Sequence, residues 1–523
     1  MIRRKREGRY QPNLVSLPSV LWVLQLVLFI SCKSSSPILG NEQNRIYFIS
    51  PNGSDDNDGS FETPFKTINK GLLLAEPGET VMVREGIYRE KVVFGKSGIK
   101  DKYITLKAYS GEKAVISGEG LPVNGGEGLV GIHNVRWIVL EGFDICDFKT
   151  LAPWTNPDGI LVNEGADHII IRNNRVYNIE NNCKPEDGRS AHAIQIIGNT
   201  SDAVTDILIE ENEIFDCNTG YSENLTINGY VDGFTIRKNK VYNGENIGID
   251  AAGGYGANPN PSLNYARNGL ISENEVFDID GRKGPIPAYS EHNGAIGIYV
   301  DGARNITVER NKVYRVGRGI GIVSETDNFP TEHCHVRNNL VYHCSLVGIY
   351  MGGYVGYTGG GTNHCTVVNN TLFHNSMELG YSNDVEGEIR LTENCHNNRI
   401  ANNIIYPRPD RGLFINKLTE NGADNFFDAN LYFSTGISRW VWDGKELLEF
   451  DDWQRACGGD RSSIYGVDPE FKSLTIPGLH IQSTSPAFQM GIVEESYSSG
   501  PLDIDGESRT KDNKISIGAD ECH

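Results

Sequence analysis

Four acidic residues stand in short apolar segments that share one pattern. They are Asp250 in GIDAA, Asp301 in GIYVD, Glu325 in GIVSE and Glu388 in GEIRL. Carboxylates held close together repel each other, so one of them keeps its proton to higher pH than usual. A protonated and an ionised carboxyl group side by side can act as acid and base on a glycosidic bond. The segments therefore predict a carboxylate centre if the fold stacks them.

A motif that recurs nine times predicts how these segments are stacked. The pattern apolar-x-x-Asn-x-apolar-aromatic runs from IRNNRVY (171–177) to a degraded FFDANLY (426–432), and its Asn stands at 174, 212, 239, 274, 311, 339, 370, 403 and 430. Short strands at one coil period, with Asn and Gly at the corners, indicate a parallel β-solenoid. We expect the Asn side chains to stack inside the corner and bond the turn backbone. A β-propeller would need four hairpin-linked strands per repeat, for which the intervals are too short.

Three blocks of the chain resemble a known family. They are the opening segments YFISPNGS (47–54) and PGETV (77–81), the Asn coils, and a closing region from DPEF (468–471) to IGA (517–519). With these blocks the chain resembles the pectate-lyase-like superfamily of right-handed parallel β-helix proteins, especially secreted bacterial members. The resemblance implies an all-β, right-handed parallel β-helix, a short capping helix at about 65–76, and a polysaccharide partner. Lyases, hydrolases, epimerases and binding proteins share such blocks, so the resemblance indicates the fold but not the reaction.

The first 44 residues are typical of an export signal and a tether. Basic residues precede an apolar run at 15–30, and LFISC (28–32) resembles a bacterial lipobox, in which Cys32 would be lipidated. A transmembrane anchor is the alternative, although the run is short for one. We expect a signal peptide at 1–31, a tether at 32–44, and one β-helix domain at 45–523 with core coils at about 100–435 and a closing segment at about 436–523. This predicts an exported lipoprotein at the bacterial surface or in the periplasm, whose only membrane contact is the lipid.

Composition excludes two classes of protein. The 523 residues include 59 Gly, and Gly is unfavourable inside helices, so a mainly helical protein is excluded. The 68 Asp and Glu residues exceed the 48 Lys and Arg residues, for a net charge of −20. An acidic protein repels phosphates, so we expect no nucleic-acid partner. We also expect a monomer.

The alternation of a strand predicts which side chains share one outer face. With the Ile of each Gly-Ile segment in the core, the residues one and three positions later point outward. This register places outward Asp250, Tyr299, Asp301, Glu325 and Tyr350, followed by Glu388 and Arg390. With rungs about 4.8 Å apart, Asp301 and Glu325 at equivalent positions would be about 5–6 Å apart, and Asp250 about 8 Å from Asp301. The shorter separation favours a retaining glycosidase and the longer an inverting one.

Long loops near the same face offer side chains for sugar binding. They span 252–267, 281–293 and 352–363 and are rich in Gly, Pro, Asn and Tyr. Tyr rings stack on sugars and Arg can hold an acidic sugar. The candidate sugar-binding residues are Tyr299, Tyr350 and Arg390 on strands, and Tyr255, Tyr265, Arg267 and His292 in loops. On earlier coils, Asp158, Glu164 and His192 predict an extended subsite.

Three functions compete at this stage. The leading hypothesis is a glycoside hydrolase whose catalytic residues come from the four carboxylates. In the alternative, a polysaccharide lyase, Asp250, Asp301 and Glu325 would bind Ca²⁺, and Arg390, Lys417 or a tyrosine would be the base. We expect no Lys on the central outer face, with Lys417 in inward register, and the acidic charge opposes an anionic polymer unless a metal is present. The third hypothesis is a non-catalytic glycan-binding or adhesion solenoid, whose face carboxylates are solvated or hold a structural Ca²⁺.

Overall fold

The computed structural model describes residues 45–380, 385–475 and 478–522. Within these ranges the chain winds through three long sheets in which almost all neighbouring strands are parallel. This confirms the predicted all-β parallel β-helix. The predicted signal peptide at 1–31, Cys32 and the tether at 32–44 lie outside the described residues. None of the helices in the described ranges is long and apolar enough to cross a membrane.

The strands are numbered in chain order. They are β1 Ile46–Ile49, β2 Thr80–Val83, β3 Gly86–Tyr88, β4 Val92–Val93, β5 Ile104–Ala108, β6 Ala114–Ser117, β7 Gly126–His133, β8 Arg136–Glu141, β9 Asp144–Thr150, β10 Asn156–Asn163, β11 Asp167–Arg172, β12 Arg175–Asn181, β13 His192–Gly198, β14 Val204–Glu210, β15 Glu213–Phe215, β16 Glu223–Gly229, β17 Val231–Arg237, β18 Lys240–Tyr242, β19 Ile247–Ala252, β20 Arg267–Ser272, β21 Glu275–Phe277, β22 Ile296–Asp301, β23 Arg304–Glu309, β24 Lys312–Tyr314, β25 Arg318–Ser324, β26 Thr331–Glu332, β27 His335–Arg337, β28 Leu340–Tyr342, β29 Val347–Gly353, β30 Thr362–Asn363, β31 Thr366–Val368, β32 Thr371–Phe373, β33 Ile389–Leu391, β34 Cys395–His396, β35 Arg399–Ala401, β36 Ile404–Tyr406, β37 Leu413–Lys417, β38 Phe426–Asp428, β39 Leu431–Tyr432, β40 Arg439–Trp442, β41 Lys445–Leu447 and β42 Ile464–Tyr465. The helices are α1 Ile68–Leu74 and α2 Phe450–Cys457, with single 3₁₀ turns at Pro185–Asp187, Gly281–Lys283, Pro287–Tyr289 and Glu495–Tyr497.

Each complete coil contributes one strand to each sheet. Sheet 1 runs β4-β7-β10-β13-β16-β19-β22-β25-β29-β33-β37-β40-β41. Sheet 2 runs β1-β2-β5-β8-β11-β14-β17-β20-β23-β27-β31-β35-β38, with the short β26, β30 and β34 beside it. Sheet 3 runs β3-β6-β9-β12-β15-β18-β21-β24-β28-β32-β36-β39-β42. The stacked strands thus begin at β1, well before the core coils that the sequence predicted to start near residue 100.

Columns of aliphatic side chains fill the interior. In sheet 1 one inward column contains, from coil to coil, Ile160, Ile194, Leu225, Ile249, Ile298, Ile320, Ile349, Ile389 and Ile415. These side chains are fully buried, and burying one of them stabilises the fold by roughly 1.5–3 kcal/mol. The Ile of the Gly-Ile segments therefore faces the core, as the sequence predicted.

The nine repeated Asn residues form one continuous hydrogen-bonded ladder. The side-chain oxygen of Asn311 accepts from the backbone and side-chain N–H groups of Asn274, at 2.9 and 3.0 Å. The backbone and side-chain N–H groups of Asn311 in turn donate to the Asn339 side-chain oxygen, at 2.9 and 3.0 Å. The side-chain amide of Asn311 also donates to the Ile271 carbonyl at 2.9 Å. The same pattern connects all nine, from Asn174 to Asn430. This confirms that the Asn column is structural.

Helices cover the two ends of the column of coils. The first helix, α1, begins after Thr67, whose hydroxyl accepts from Lys70 N–H, and it buries Ile68 and Leu72 over the first coil. At the other end, Trp453 of α2 is fully buried and donates to Asp460, which also accepts from Asn430 and so ends the Asn ladder. The C-terminal segment does not continue the coils. Its residues Phe471, Leu479, Ile481 and Ile517 pack on the outer aromatic face of sheet 3 at Tyr342, Phe373 and Tyr406.

Glu388 is not on the outer face, which corrects the prediction from strand alternation. It aligns with the Gly that precedes the core Ile in earlier coils, and a Cβ on those glycines would meet buried Val or Leu side chains. The chain bends there, so this position faces inward as the following Ile does. Glu388 is fully buried and accepts from the backbone N–H of Asn375 at 2.9 Å and from its side chain at 2.6 Å. Asn375 in turn accepts from the Cys344 N–H at 2.9 Å, so Glu388 ends a second, short chain of hydrogen bonds.

Removing one Asn from the ladder should destabilise the fold strongly. Asn311→Ala would leave the backbone and side-chain N–H groups of Asn274 without their shared acceptor, and the Asn339 side-chain oxygen and the Ile271 carbonyl would each lose a donor. Each buried group left without a partner costs about 1–3 kcal/mol. We expect the free energy of unfolding, measured by urea denaturation, to fall by at least about 2 kcal/mol. The exposed Asn124→Ala control should stay within about 0.5 kcal/mol of wild type. Equal losses in the two variants would contradict a structural ladder.

The buried Glu388 predicts a pH dependence of stability. Burial raises the pKa of Glu388 to about 8, above the 4.5 of an ordinary Glu, although hydrogen bonds from Asn375 oppose the shift. A carboxyl group with a raised pKa in the folded state stabilises the fold below its unfolded pKa and loses that contribution as the pH rises through the folded pKa. We expect the free energy of unfolding to fall between about pH 5 and 8. This fall should be smaller in Glu388→Gln and unchanged in the exposed Glu420→Gln; an unchanged slope in Glu388→Gln would refute the assignment.

Candidate active site

The outer face of sheet 1 carries the candidate site between β16 and β29. Loops border both ends of these strands: 253–266 follows β19, 354–361 follows β29, and 278–295 precedes β22. Hydrogen bonds hold two of these loops, 354–361 by bonds between coils and 278–295 by a bond within the loop. The Asp327 carboxylate accepts backbone N–H groups of Gly359 and Gly360, at 2.8 and 2.7 Å, and Asn293 caps the start of the 281–283 turn at 2.9 Å. A rigid sheet with anchored loops is a common frame for binding sites.

Asp301 and Glu325 meet at one tyrosine hydroxyl. Tyr255 donates a hydrogen bond to Asp301 and lies 3.2 Å from a Glu325 oxygen. The other Glu325 oxygen accepts from Tyr299 at 2.7 Å, and the Glu325 N–H donates to Asp301 at 2.8 Å. Because two oxygens that hydrogen-bond one hydroxyl are at most about 6 Å apart, the two carboxylates form a close pair. The Tyr255 ring is 50% exposed, so the hydroxyl is directed into the site from its open side.

The pair forms by a different route from the one predicted. Asp301 aligns with Val323 in β25, so Glu325 is two residues beyond the equivalent position and follows the end of the strand. The Gly-Ile that aligns with Gly297-Ile298 is Gly319-Ile320, not Gly321-Ile322. Glu325 reaches Asp301 because the chain leaves β25 at this point and its N–H turns toward the carboxylate.

Asp250 extends the acidic face by one coil. It aligns with Tyr299, one rung before Asp301 and offset by two residues, as predicted from alternation. Its side chain is 3% exposed, and one oxygen accepts from Thr226 at 3.3 Å. Burial and the charges of nearby carboxylates raise the pKa of Asp250 well above its ordinary value. Burial and the charge of Glu325 do the same for the pKa of Asp301, against hydrogen bonds from Tyr255 and the Glu325 N–H.

Tyrosines form the rest of the wall. Tyr350 stacks on Tyr299 with ring centres 6.0 Å apart, and the Tyr357 hydroxyl donates to the Glu325 carbonyl at 2.6 Å. Tyr354 is 55% exposed at the rim. Burial and the charge of Glu325 raise the pKa of Tyr354 and Tyr299 above the ordinary tyrosine value. The wall therefore offers neutral phenols and aromatic faces, which suit the two faces and the hydroxyls of a sugar ring.

The positive charges near this face are already paired. Arg390 aligns outward with Tyr350, and it pairs with Glu386 at 3.2 Å. Arg318 also contacts Glu386, at 3.4 Å, and it donates to the Gly294 carbonyl at 3.0 Å. Burial would raise the pKa of Glu386, but the two guanidinium groups lower it overall. Glu386 precedes β33 and belongs to no repeated motif, so no sequence pattern predicted its role.

Three of the predicted sugar-binding residues lie in other surroundings than Asp250, Asp301 and Glu325. They are Tyr265, Arg267 and His292. Arg267 begins β20 of sheet 2, and its guanidinium lies 3.7 Å from the centre of the Tyr265 ring. The two residues thus pack on each other beside sheet 2. His292 lies half-buried in the loop that precedes β22. The lyase base candidate Lys417 is 3% exposed, in inward register as predicted, and it donates to Asp443 and to the Thr419 carbonyl.

The earlier coils carry a second polar group on the same face. His192 of β13 lies between Asp158 of β10, at 2.9 Å, and Glu223 of β16, at 3.2 Å. Glu223 was missed because its strand, ENLTING, lacks the Gly-Ile start that marks the other segments. Glu164, predicted with Asp158 and His192, lies exposed beyond β10 and is apart from this group.

The carboxylates do not converge on a common point that would suit a cation. Among the described residues, carboxylate or imidazole ligand atoms of three side chains come within 4.8 Å of one another at two places, Asp167/His168/Asp206 and His480/Asp505/Asp520. Neither set includes Asp250, Asp301 or Glu325. Ca²⁺ takes six to eight oxygen ligands around one centre, whereas here a tyrosine hydroxyl lies between two of the three carboxylates. The donor set does not fit the calcium of the lyase alternative.

Comparisons with known proteins agree with the fold. Residues 47–255 match a family model described as Pel9A-like, right handed beta helix region, and residues 296–446 match one described as right handed beta helix region. The solved complex of XylC with xylose covers 91% of this chain and 98% of its own, with 13% identity and a TM-score of 0.53. At this identity the likeness concerns the fold alone.

Two sequence relatives connect the chain to the family. YwoF of Bacillus subtilis (strain 168), an uncharacterized protein, is 34% identical over 450 residues, which are 84% of this chain and 91% of YwoF. The pectate lyase PEL9 of Emericella nidulans is 29% identical over 135 residues, which are 24% of this chain and 33% of the lyase. The two matched ranges contain eight of the nine ladder Asn residues, all but Asn274. The chain belongs to the pectate-lyase-like family of right-handed parallel β-helix proteins.

Proposed function

We propose that the chain is a glycoside hydrolase that cleaves a polysaccharide with retention of configuration. The observation that carries this proposal is the close pair of Asp301 and Glu325 around one hydroxyl. Carboxyl groups about 5–5.5 Å apart are typical of retaining glycosidases, whereas inverting enzymes leave room for a water between groups about 6.5–9.5 Å apart. The polysaccharide is supported by a related protein that is named as a pectate lyase.

The environments of the two groups suggest their roles. Burial and the neighbouring Glu325 favour the protonated form of Asp301, so Asp301 is the acid that gives its proton to the leaving oxygen. Glu325 is more open to solvent and is oriented by Tyr299, so it is the nucleophile that bonds to the anomeric carbon as the glycosidic bond breaks. In the second step Asp301 removes a proton from water, whose oxygen displaces Glu325. Each cycle consumes one water and returns the proton to Asp301.

Tyr255 occupies the place of the reacting oxygen in the free protein. Its hydroxyl bonds both carboxylates, and its ring is half exposed on a loop of Gly residues with positive φ at Gly254 and Gly256. A bound glycan would displace this hydroxyl and then accept the hydrogen bond or proton itself. Tyr255 thus keeps the pair oriented until the substrate arrives.

The candidate bases of the lyase alternative are engaged in other contacts, and His192 on the same face is held between Asp158 and Glu223. β-Elimination requires a group that accepts a proton near neutral pH. In the described strands β10 to β33 the outer face of sheet 1 carries no lysine, Lys417 is buried, and Arg390 is paired with Glu386. Burial and the carboxylates raise the pKa of Tyr255 and Tyr299, which disfavours the tyrosinate that a base would need. These residues support hydrolysis over elimination.

Export and anchoring form part of the proposal. The basic and apolar segments before Cys32 support an exported lipoprotein whose β-helix acts on polysaccharide outside the cytoplasm. Metabolic labelling with a fatty-acid analogue tests this directly, since labelling should be present in wild type and absent in Cys32→Ser. Equal labelling of the two proteins would exclude lipidation at Cys32.

Replacing either carboxylate should abolish hydrolysis while the fold is kept. We expect Asp301→Asn and Glu325→Gln to lower kcat/KM by at least about 10²-fold, with unchanged circular dichroism and melting. Added azide should restore turnover to Glu325→Ala by bonding to the anomeric carbon in place of the missing nucleophile. The control Glu332→Gln, on sheet 2, should keep wild-type activity.

The substrate screen separates the three functions. The full chain is incubated with plant and algal glycans, with and without EDTA, while reducing ends and the ultraviolet absorbance of unsaturated uronides are followed together. New reducing ends without absorbance support the hydrolase. Absorbance that EDTA abolishes would establish the lyase instead, and glycan binding without cleavage, unchanged in Asp301→Asn, would establish the binding module.

A further inference from the structure

A buried histidine links two carboxylates on the outer face of sheet 1. His192 is 5% exposed and Asp158 is fully buried, while Glu223 is partly open. Their three strands are consecutive in the sheet, and Asp158 aligns directly with His192. One ring nitrogen of His192 lies 2.9 Å from Asp158 and the other 3.2 Å from Glu223. Both ring nitrogens therefore have a carboxylate acceptor, an arrangement that suits a charged imidazolium.

Two side-chain amide nitrogens also approach the ring of His192. Those of Gln195 and Asn156 lie 3.4 and 3.1 Å from its two nitrogens, farther than the carboxylate oxygens at 3.2 and 2.9 Å, and as donors they offer no acceptor to a charged ring. Burial alone would lower the pKa of His192, but hydrogen bonds to Asp158 and Glu223 raise it to about 9. Burying a histidine and an aspartate on an outer sheet face is costly unless both are paired. The positive charge holds the partly open Glu223 in one place on the face.

Glu223 and Asp250 lie on neighbouring strands of sheet 1, where Glu223 aligns with Ile247, three residues before Asp250. The strand of Glu223, β16, pairs with β19, and Thr226 of β16 both aligns with Asp250 and donates to it at 3.3 Å. Burial contributes most to the raised pKa of Asp250. Among the neighbouring carboxylates, Glu223 raises this pKa more than Asp301 or Glu325 does. The second oxygen of Asp250 is buried without a hydrogen-bond partner among the described residues. A buried carboxyl oxygen without a donor is costly when ionised, so the site favours a proton on Asp250.

We propose that Asp158, His192 and Glu223 form a positioning relay for the carboxylate centre. Asp158 orients the ring of His192, His192 holds the Glu223 carboxylate beside Asp250, and Glu223 keeps Asp250 protonated. Asp250 then presents a neutral hydrogen-bond donor next to the Asp301–Glu325 pair, instead of a third negative charge. The use of this donor on a glycan rests on the proposed function, whereas the protonation of Asp250 is a property of the folded chain.

The carboxylates that raise the pKa of Asp250 come from three elements. The β16 strand contributes Glu223, the β22 strand contributes Asp301, and the turn after β25 contributes Glu325. A hydrogen bond from Thr226 lowers the pKa of Asp250, and Tyr255 of the 253–266 loop is a further titratable group, whose own pKa the charge of Asp250 helps to raise. Removing the Glu223 charge should therefore lower the pKa of Asp250, so that Asp250 ionises at lower pH.

The test measures the proton on Asp250 without any substrate. The carbonyl stretch of a protonated carboxylic acid is followed by infrared spectroscopy across pH in the full chain, and the Asp250 signal is assigned by subtracting the spectrum of Asp250→Asn. We expect Glu223→Gln to shift the Asp250 midpoint down by about 1–3 pH units, the size of a close like-charge effect. His168→Gln is the matched control, because this half-buried histidine also lies between carboxylates, Asp167 and Asp206, but on sheet 2.

The role of His192 is tested in a double-mutant cycle. If His192 acts through Glu223, then His192→Gln changes the Asp250 midpoint in the wild-type background and leaves it unchanged in Glu223→Gln. NMR of the His192 ring provides a second measurement, since loss of the Glu223 charge should lower the His192 midpoint. An Asp250 midpoint that is the same in wild type and folded Glu223→Gln overturns the relay, as does an effect of His192→Gln that persists without Glu223.

The activity measurement separates this proposal from the proposed function. On a glycan found by the substrate screen, Glu223→Gln should shift the alkaline limb of the kcat/KM profile to lower pH, because Asp250 then loses its proton earlier. A shifted infrared midpoint with no cleavage of any glycan would support the relay and refute the hydrolase. An unshifted midpoint with normal hydrolysis would refute the relay alone.

Discussion

The pairing of each strand with its counterpart one coil later is the constraint on which the rest of the molecule depends. This pairing sets the distance between outward side chains of successive coils to the distance between neighbouring strands. The Asn ladder holds the corners of successive coils in alignment. A buried amide that donates and accepts at every coil tolerates little slippage, because a shift would orphan several groups at once. On such a frame, residues about thirty positions apart in sequence become lasting neighbours.

Electrostatic strain is concentrated on the outer face of sheet 1. Asp250, Asp301, Glu325 and Glu223 lie on or directly beside four consecutive strands, and like charges in such columns are unfavourable. The molecule relieves the strain by local means: a tyrosine hydroxyl between one pair, an imidazolium beside Glu223, and protons retained through burial. Arg318 and Arg390 do not relieve it, since both are engaged with Glu386. Burial on this face favours the protonated forms of Asp250 and Asp301, which suits the proposed acid–base chemistry.

Much of the fold was predictable because short sequence motifs recur from coil to coil. The Asn interval, the Gly-Ile starts and the alternation after them predicted the solenoid, the core column and the outward positions of Asp250, Tyr299 and Arg390. The site was predicted less completely. Alternation fails where the chain bends before the core Ile, so Glu388 proved to be buried, and a strand without the Gly-Ile start concealed Glu223.

The sequence by itself determined the architecture and the identity of the acidic segments, because a coil repeat needs only local residue types at a regular interval. Only the tertiary structure decided which carboxylates meet. Glu325 joins Asp301 through a turn after β25 and a two-residue shift in alignment, and Glu223 joins through His192. The physical reason is that a shift of one or two residues between coils reassigns every outward partner. That register depends on packing across coils and on hydrogen bonds to loops that are distant in sequence.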